Sequence, residues 1–213
     1  MGFFNHEVLN IRETPAEYAA RVISENRYTV VGIFGASGSG KTTMAQGLLR
    51  VLCDGKALLL SVDDYWKYDR ATMEKLRLTG YDWEARQKER FLRDLGDLKS
   101  GGIIHKPVFD YENELPTDKT EIVESREIII LEATLDFTEI ADFLIFTYAP
   151  EAVLIERRLT RDSRKTAIQG RDSLLEYLEK KSLPAYRTKL LPIVRNAHLI
   201  VDTSSGLLYG RMT

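Results

Sequence analysis

The sequence is poor in the residues that would point to several common kinds of chemistry. Cys53 is the only cysteine among 213 residues, so no internal disulfide can form. It sits in an apolar helical pattern, where a buried structural thiol is expected ahead of a reactive one. The three histidines, His6, His105 and His198, lie far apart and have no metal-ligand spacing. No run of 18 apolar residues occurs and no signal peptide opens the chain, so we expect no membrane span and a reducing cytoplasm. Neither sign of charge dominates. A net charge of −2 gives no global basis for binding nucleic acid or an anionic membrane. Internal repeats and low-complexity segments are also missing.

What is present fits one globular domain over residues 1–213, with 44% apolar and 29% charged residues. "TPAE" at Thr14–Glu17 carries a capping box with proline at the first helical position, which predicts a helix over about 15–26. Apolar runs of strand length follow at 28–34, 56–62, 127–133, 142–149 and 198–203. Phe91, Leu92, Leu95 and Leu98 mark a helix that stops at Gly101-Gly102. Two short alternating segments predict a β-hairpin excursion over about 103–125. A long helical region spans 151–196, with Leu183-Pro184 expected to kink or divide it. Strands alternating with helices predict an α/β fold with a parallel sheet covered on both faces.

Gly35-Ala36-Ser37-Gly38-Ser39-Gly40-Lys41-Thr42 satisfies the phosphate-loop pattern G-x-x-x-x-G-K-[ST], followed by Thr43, after a predicted strand and before a predicted helix. Glycines let the backbone wrap phosphate oxygens with its N–H groups pointing inward. The next helix adds its own unpaired N–H groups and positive dipole end. Lys41 has the reach for β and γ phosphates, and the Thr42 hydroxyl suits Mg²⁺. No N-K-x-D sequence occurs, which argues against guanine recognition of the GTPase type.

Downstream, "LSVDDYW" ends the second strand with Asp63 and Asp64, where a carboxylate faces the ligand crevice or caps a turn. "IIILEA" delivers Glu132 at the end of another buried strand, towards a metal or towards solvent. The run 156–172 is rich in arginine: Arg157, Arg158, Arg161, Arg164, Lys165 and Arg171. It reads either as a solvated helix face or as a lid over about 157–172 that neutralises a transferring phosphoryl group.

"GASGSGKTT", "SVDDYW", "YDW", "KPVFDY", "ILEA" and "RRLTRD…GR", in this order from Val30 to Asp202, resemble the uridine kinase and phosphoribulokinase family. The resemblance implies a P-loop NTPase fold of the adenylate-kinase-like kind: a five-stranded parallel sheet ordered 2-3-1-4-5, a β-hairpin insertion and a helical lid. It implies transfer of the γ-phosphoryl of ATP to a hydroxyl of a nucleoside or sugar-like acceptor, with Mg²⁺ as cofactor. Asp63 falls where the family places its base, and Glu132 where it has an acid near the metal, with Thr42 and Asp63 as the other metal candidates. Arg158, Arg161 and Arg171 match the family's phosphate-binding arginines best, and Lys41, Arg158 and Arg161 join Asp63 as catalytic candidates. The family leaves a homo-oligomer open, and no residue here marks an interface.

The sequence departs from the family's pattern mostly on the acceptor side. The lid run is longer, with Gln169 where arginine is expected. The E-G pair is Glu132-Ala133, and the histidines of the acceptor segments are replaced. Tyr65, Trp66, Tyr81, Asp82, Trp83, Phe109 and Asp110 are the candidates to line an acceptor pocket, the alternative being that these aromatics complete the core. Two functional alternatives stay open: a kinase of another acceptor, such as a sugar or vitamin precursor, and a nucleotide-binding regulatory protein with little turnover.

Overall fold

The computed structural model describes residues 5–52, 55–162 and 170–211. Cys53, Arg164, Lys165 and Gln169, with the middle of the expected lid, lie outside the described residues.

The central sheet has seven strands: β1 (His6–Val8), β2 (Val30–Gly35), β3 (Ala57–Ser61), β6 (Ile128–Ala133), β7 (Phe143–Tyr148), β8 (Leu199–Asp202) and β9 (Leu208–Arg211), in the spatial order β1-β9-β8-β7-β2-β6-β3. The five strands from β8 to β3 are mutually parallel. Numbered along the chain, they stand in the order 2-3-1-4-5. The count of seven differs from the expected five, because β9 and β1 extend one edge antiparallel. These two strands are only four and three residues long, too short for an alternating pattern to show.

Alternation along each parallel strand builds two cores. Val30, Phe34, Leu60, Leu131 and Phe146 pack on one face with Phe91, Leu95 and Leu98 of α4 (Lys88–Lys99). Val31, Ile33, Ile130 and Ile145 pack on the other with Ala19 and Ile23 of α1 (Pro15–Asn26) and Met44 and Leu48 of α2 (Lys41–Val51). Each large side chain so buried contributes about 1.5–3 kcal/mol. The capping box forms as expected: Thr14 Oγ1 accepts from Glu17 N at 3.3 Å, and Thr14 N donates to Glu17 Oε2 at 2.8 Å. Arg27 then closes α1 with φ 56°.

The hairpin consists of β4 (Ile103–Asp110) and β5 (Leu115–Glu124), paired antiparallel beside the main sheet. Of the expected helical region, α5 spans Glu151–Arg161 and α6 spans Arg171–Tyr177. As expected, the run that follows is divided around Pro184, into a three-residue α-helical turn (Leu183–Ala185) between two π-type turns. Residues 178–190 keep helical dihedrals and widen into π-type turns at Leu178–Ser182 and Tyr186–Leu190, which make room for the proline ring and its missing N–H. Between β3 and α4 lie a turn of 3₁₀ helix (Val62–Tyr65), the short helix α3 (Arg70–Lys75) and a second 3₁₀ turn (Trp83–Ala85). No described helix is long and apolar enough to cross a membrane.

Candidate active site

The phosphate loop, Asp63 and Glu132 come from the carboxyl ends of β2, β3 and β6, where a parallel sheet opens a crevice. Between β2 and α2 the chain turns through Gly38 (φ 90°) and Gly40 (φ 92°), conformations that favour glycine. Gly35 answers a different constraint. A Cβ there would stand 2.4 Å from the Thr147 carbonyl oxygen and 2.6 Å from Ser39 Oγ. The Ser39 and Thr147 hydroxyls lie 2.6 Å apart and lock the loop to β7. Gly40, the N-cap of α2, has no side-chain cap, so the first N–H groups of that helix remain available to an anion. Thr43 is exposed on the same first turn.

Lys41 is buried and its Nζ donates to Ala36 O at 3.1 Å. Burial pushes its ammonium below the usual lysine range, while the carboxylates of Glu132 and Asp63 oppose that shift. Glu132, also buried, is shifted the other way: burial raises its carboxyl, and Lys41 opposes. Thr42 Oγ1 donates to Glu132 Oε1 at 3.3 Å. A hydroxyl and two carboxylates, Glu132 and Asp63, are hard oxygen donors of the kind Mg²⁺ takes. No group of three or more acidic, histidine or cysteine side chains among the described residues forms a metal cage. The set therefore suits an ion whose other ligands come from phosphate and water.

The two adjacent aspartates separate. Asp64 receives Lys106 Nζ at 2.5 Å and the Tyr111 hydroxyl at 3.0 Å, which anchors the hairpin. Asp63 faces the cleft and pairs through Oδ1 with Nη2 of Arg86 at 2.6 Å. Arg86 is 2% exposed, and its guanidinium carbon lies 3.1 Å from the centroid of the Trp66 ring. Burial pulls the Arg86 guanidinium below its ordinary range, and the Asp63 carboxylate opposes this.

The arginines of the expected lid divide into three. Arg157 Nη1 donates to Gly38 O (3.2 Å) and Thr203 Oγ1 (2.7 Å), so it ties α5 to the phosphate loop as scaffold. Asp162 accepts from Arg158 Nε through one oxygen and from Arg161 Nε through the other, each at 3.0 Å, and Arg161 also reaches Ser37 Oγ at 3.3 Å. Arg171, expected at the phosphates, begins α6 and borders a separate surface groove with Ile155 and Leu159 of α5.

Ser37, Asp63, Arg158 and Arg161 line a single cleft of about 490 Å³, with Trp66, Tyr81 and Phe109 among its walls. Burial raises the Tyr81 hydroxyl above its ordinary range, and Ser182 and the Ser37 backbone oppose that shift. The other acceptor candidates belong elsewhere. Tyr65 is fully buried and donates to Asp94 Oδ2 at 2.9 Å. Asp82 accepts from Thr79 N at 2.8 Å and pairs with Lys189. Trp83 donates to Asp136 O at 3.2 Å and packs on Phe91 and Phe137. Asp110 caps the hairpin turn through the N–H groups of Glu112 and Asn113, at 3.0 Å each. Sequence reasoning missed Tyr68, Tyr111 and Tyr177, which line the cleft, and Arg86 behind it. No local pattern marks these tyrosines.

This arrangement coincides with a match over residues 30–206 to the profile described as "Phosphoribulokinase / Uridine kinase family". The chain belongs to this family. It is 33% identical over 182 residues to the uridine kinase of Leuconostoc citreum (strain KM20), covering 81% of this chain and 86% of that one. It is 31% identical over 185 residues to the uridine kinase of Ligilactobacillus salivarius (strain UCC118), covering 83% and 86%. Phosphoribulokinase from Rhodobacter spheroides shares the fold, with a TM-score of 0.58 at 14% identity over 83% of this chain and 70% of that one. As a member of the phosphoribulokinase and uridine kinase family, the protein is a phosphotransferase that acts on a hydroxyl.

Proposed function

We propose that the protein transfers the γ-phosphoryl of ATP, with Mg²⁺, to a hydroxyl of a nucleoside, uridine foremost. The observation that carries this reading is that Asp63, Ser37 of the phosphate loop, Arg158 and Arg161 all line one cleft, whose walls also include the aromatic side chains of Trp66, Tyr68, Tyr81, Phe109, Tyr111 and Tyr177. Aromatic faces suit a base or shield a sugar.

In this reading the backbone amides of residues 36–42 and Lys41 hold the phosphates. Asp63 orients the acceptor hydroxyl and takes its proton as the oxygen attacks. Arg158 and Arg161 leave Asp162 for the phosphoryl oxygens and neutralise the charge that spreads over them. Thr42 and Glu132, with Asp63, would hold Mg²⁺, which when bound neutralises charge on the β and γ phosphates.

A panel of nucleosides, sugars and vitamin precursors in a coupled ADP-release assay tests the acceptor. Asp63→Asn should bind ATP nearly as the parent does and lose on the order of a hundredfold or more in turnover. Equal turnover by mutant and parent would remove Asp63 as base. ATP binding with no acceptor-stimulated ADP release would favour the regulatory alternative.

A second reading, another acceptor on the same site, is favoured by one observation. Tyr65, Asp82, Trp83 and Asp110 are committed to core packing, turns or ion pairs, so the cleft is walled by a different set from the one the motifs suggest. Preference for a sugar or vitamin precursor in the panel would establish it.

A further inference from the structure

We infer that Arg86 is a positioning residue for phosphoryl transfer: its guanidinium holds one oxygen of Asp63 and braces the ring of Trp66, so that the second Asp63 oxygen is presented to the acceptor hydroxyl. The inference rests on the reading of Asp63 given above. Arg86 itself is not among the residues that line the cleft.

Three observations point to this role. The contact to Asp63, 2.6 Å from Nη2 to Oδ1, joins a fully buried side chain to one that is 30% exposed at the cleft. On its flat face the guanidinium lies against Trp66, a wall of that cleft, so one rigid group fixes both base and wall. Finally, Arg86 Nε and Nη1 are buried without a hydrogen-bond partner among the described residues. An arginine kept for stability would have these donors satisfied, because burying them unpaired costs free energy. Here the cost is accepted for a single carboxylate contact, the pattern expected where a site is pre-organised.

The backbone around Arg86 does not depend on its side chain. Gln87 N donates to Tyr65 O at 2.8 Å and Lys67 N to Ala85 O at 3.0 Å, so residues 85–87 stay clamped to 65–67 when the guanidinium is removed. Electrostatics add to the geometry. Asp63 lies close enough to Glu132 for the two carboxylates to repel, and the Arg86 cation offsets that repulsion. Without it, Asp63 is free to turn away from the acceptor.

The test is a double-mutant cycle in the ADP-release assay, using uridine or the panel member that turns over fastest, with ATP binding and thermal melting as controls. Arg86→Met keeps an apolar stem over Trp66 and removes the charge. It should lower kcat at least about tenfold while the KM for ATP stays within about twofold, because only the base loses its orientation. Arg86→Lys, which keeps a cation for Asp63, should retain more kcat than Arg86→Met. In an Asp63→Asn background, Arg86→Met should cost less than about twofold more, since its effect runs through a carboxylate already lost. Parental kcat in Arg86→Met, or the same fold loss in both backgrounds, overturns the inference. If Arg86→Met does not fold, Arg86→Lys in the two backgrounds completes the same cycle. Parental turnover in Asp63→Asn alone would instead remove the reading of Asp63, and this inference with it.

Discussion

Arg157 Nη1 donates to Thr203 Oγ1 at 2.7 Å, joining α5 to the loop that follows β8. The same hydroxyl donates to Ser39 O at 3.0 Å, and the same guanidinium reaches Gly38 O, so the two residues brace the phosphate loop from outside. Arg157→Met should raise the KM for ATP several-fold and lower stability by about 2 kcal/mol, the value of a hydrogen-bonded charge. Urea melts with ATP titrations check this. Unchanged ATP affinity would show that the loop holds its shape without the brace.

Gly35→Ala should be far more damaging than the size of a methyl group suggests. The new carbon would stand within 2.6 Å of Thr147 O, Thr147 Oγ1 and Ser39 Oγ, and the carbonyl is backbone that cannot turn aside. Overpacking of this kind costs about 1–3 kcal/mol, and the displaced loop should lose its triphosphate. Thermal melting with and without ATP measures both effects.

Arg158 and Arg171 should part company. Arg158 shares the cleft with Asp63, and its side chain is held by Asp162, whereas Arg171 stands on another groove. Arg158→Met should lower kcat on the order of a hundredfold. Arg171→Met should leave kcat within about threefold, as expected for an exposed arginine away from special features. Comparable losses in the two variants would place Arg171 at the phosphates after all.

The pH dependence of stability should carry a signature of His198. Its Nδ1 accepts from Leu144 N at 2.9 Å, which requires a neutral ring, and the ring stacks on Phe143. Burial lowers its affinity for a proton, and Arg211 lowers it further. A folded-state value below the unfolded one means that the unfolded chain binds more protons as pH falls past about 6.5. The stabilisation is therefore complete above that pH and is lost as pH drops through the folded value. Urea melts between pH 8 and pH 5 should show the decline, and His198→Leu should lessen it.

The features legible in the sequence share one property. The capping box of α1, the phosphate loop and the strands from β2 to β8 are each encoded by residues adjacent in the chain, through φ, side-chain period or local hydrogen bonds. The edge strands β1 and β9 were not legible, because three or four residues carry no period and form a strand only when a sheet edge is offered. Pro184 signalled a kink or division from local geometry, but not its form: with Leu183 and Tyr186 packed into the core, the run passes the proline through π-type turns on either side.

The acceptor side was the least legible part of the site. "SVDDYW" and "YDW" place aspartates and aromatics next to one another without saying which way each points. Tyr65 turned to Asp94, Trp83 to Asp136 and Asp82 to Lys189, all partners far away in sequence.

By itself, then, the sequence determined the phosphate loop, because such a loop is built from consecutive backbone amides whose geometry glycines dictate, and its ordered set of motifs carried the resemblance to the kinase family to which the chain belongs. Only the tertiary structure decided that Asp64 anchors the hairpin while Asp63 faces the cleft, that Arg157 is scaffold while Arg158 faces the cleft, and that Arg86 stands behind Asp63. Those choices depend on which distant segment packs against each side chain, and long-range packing leaves no periodic or local trace in the chain.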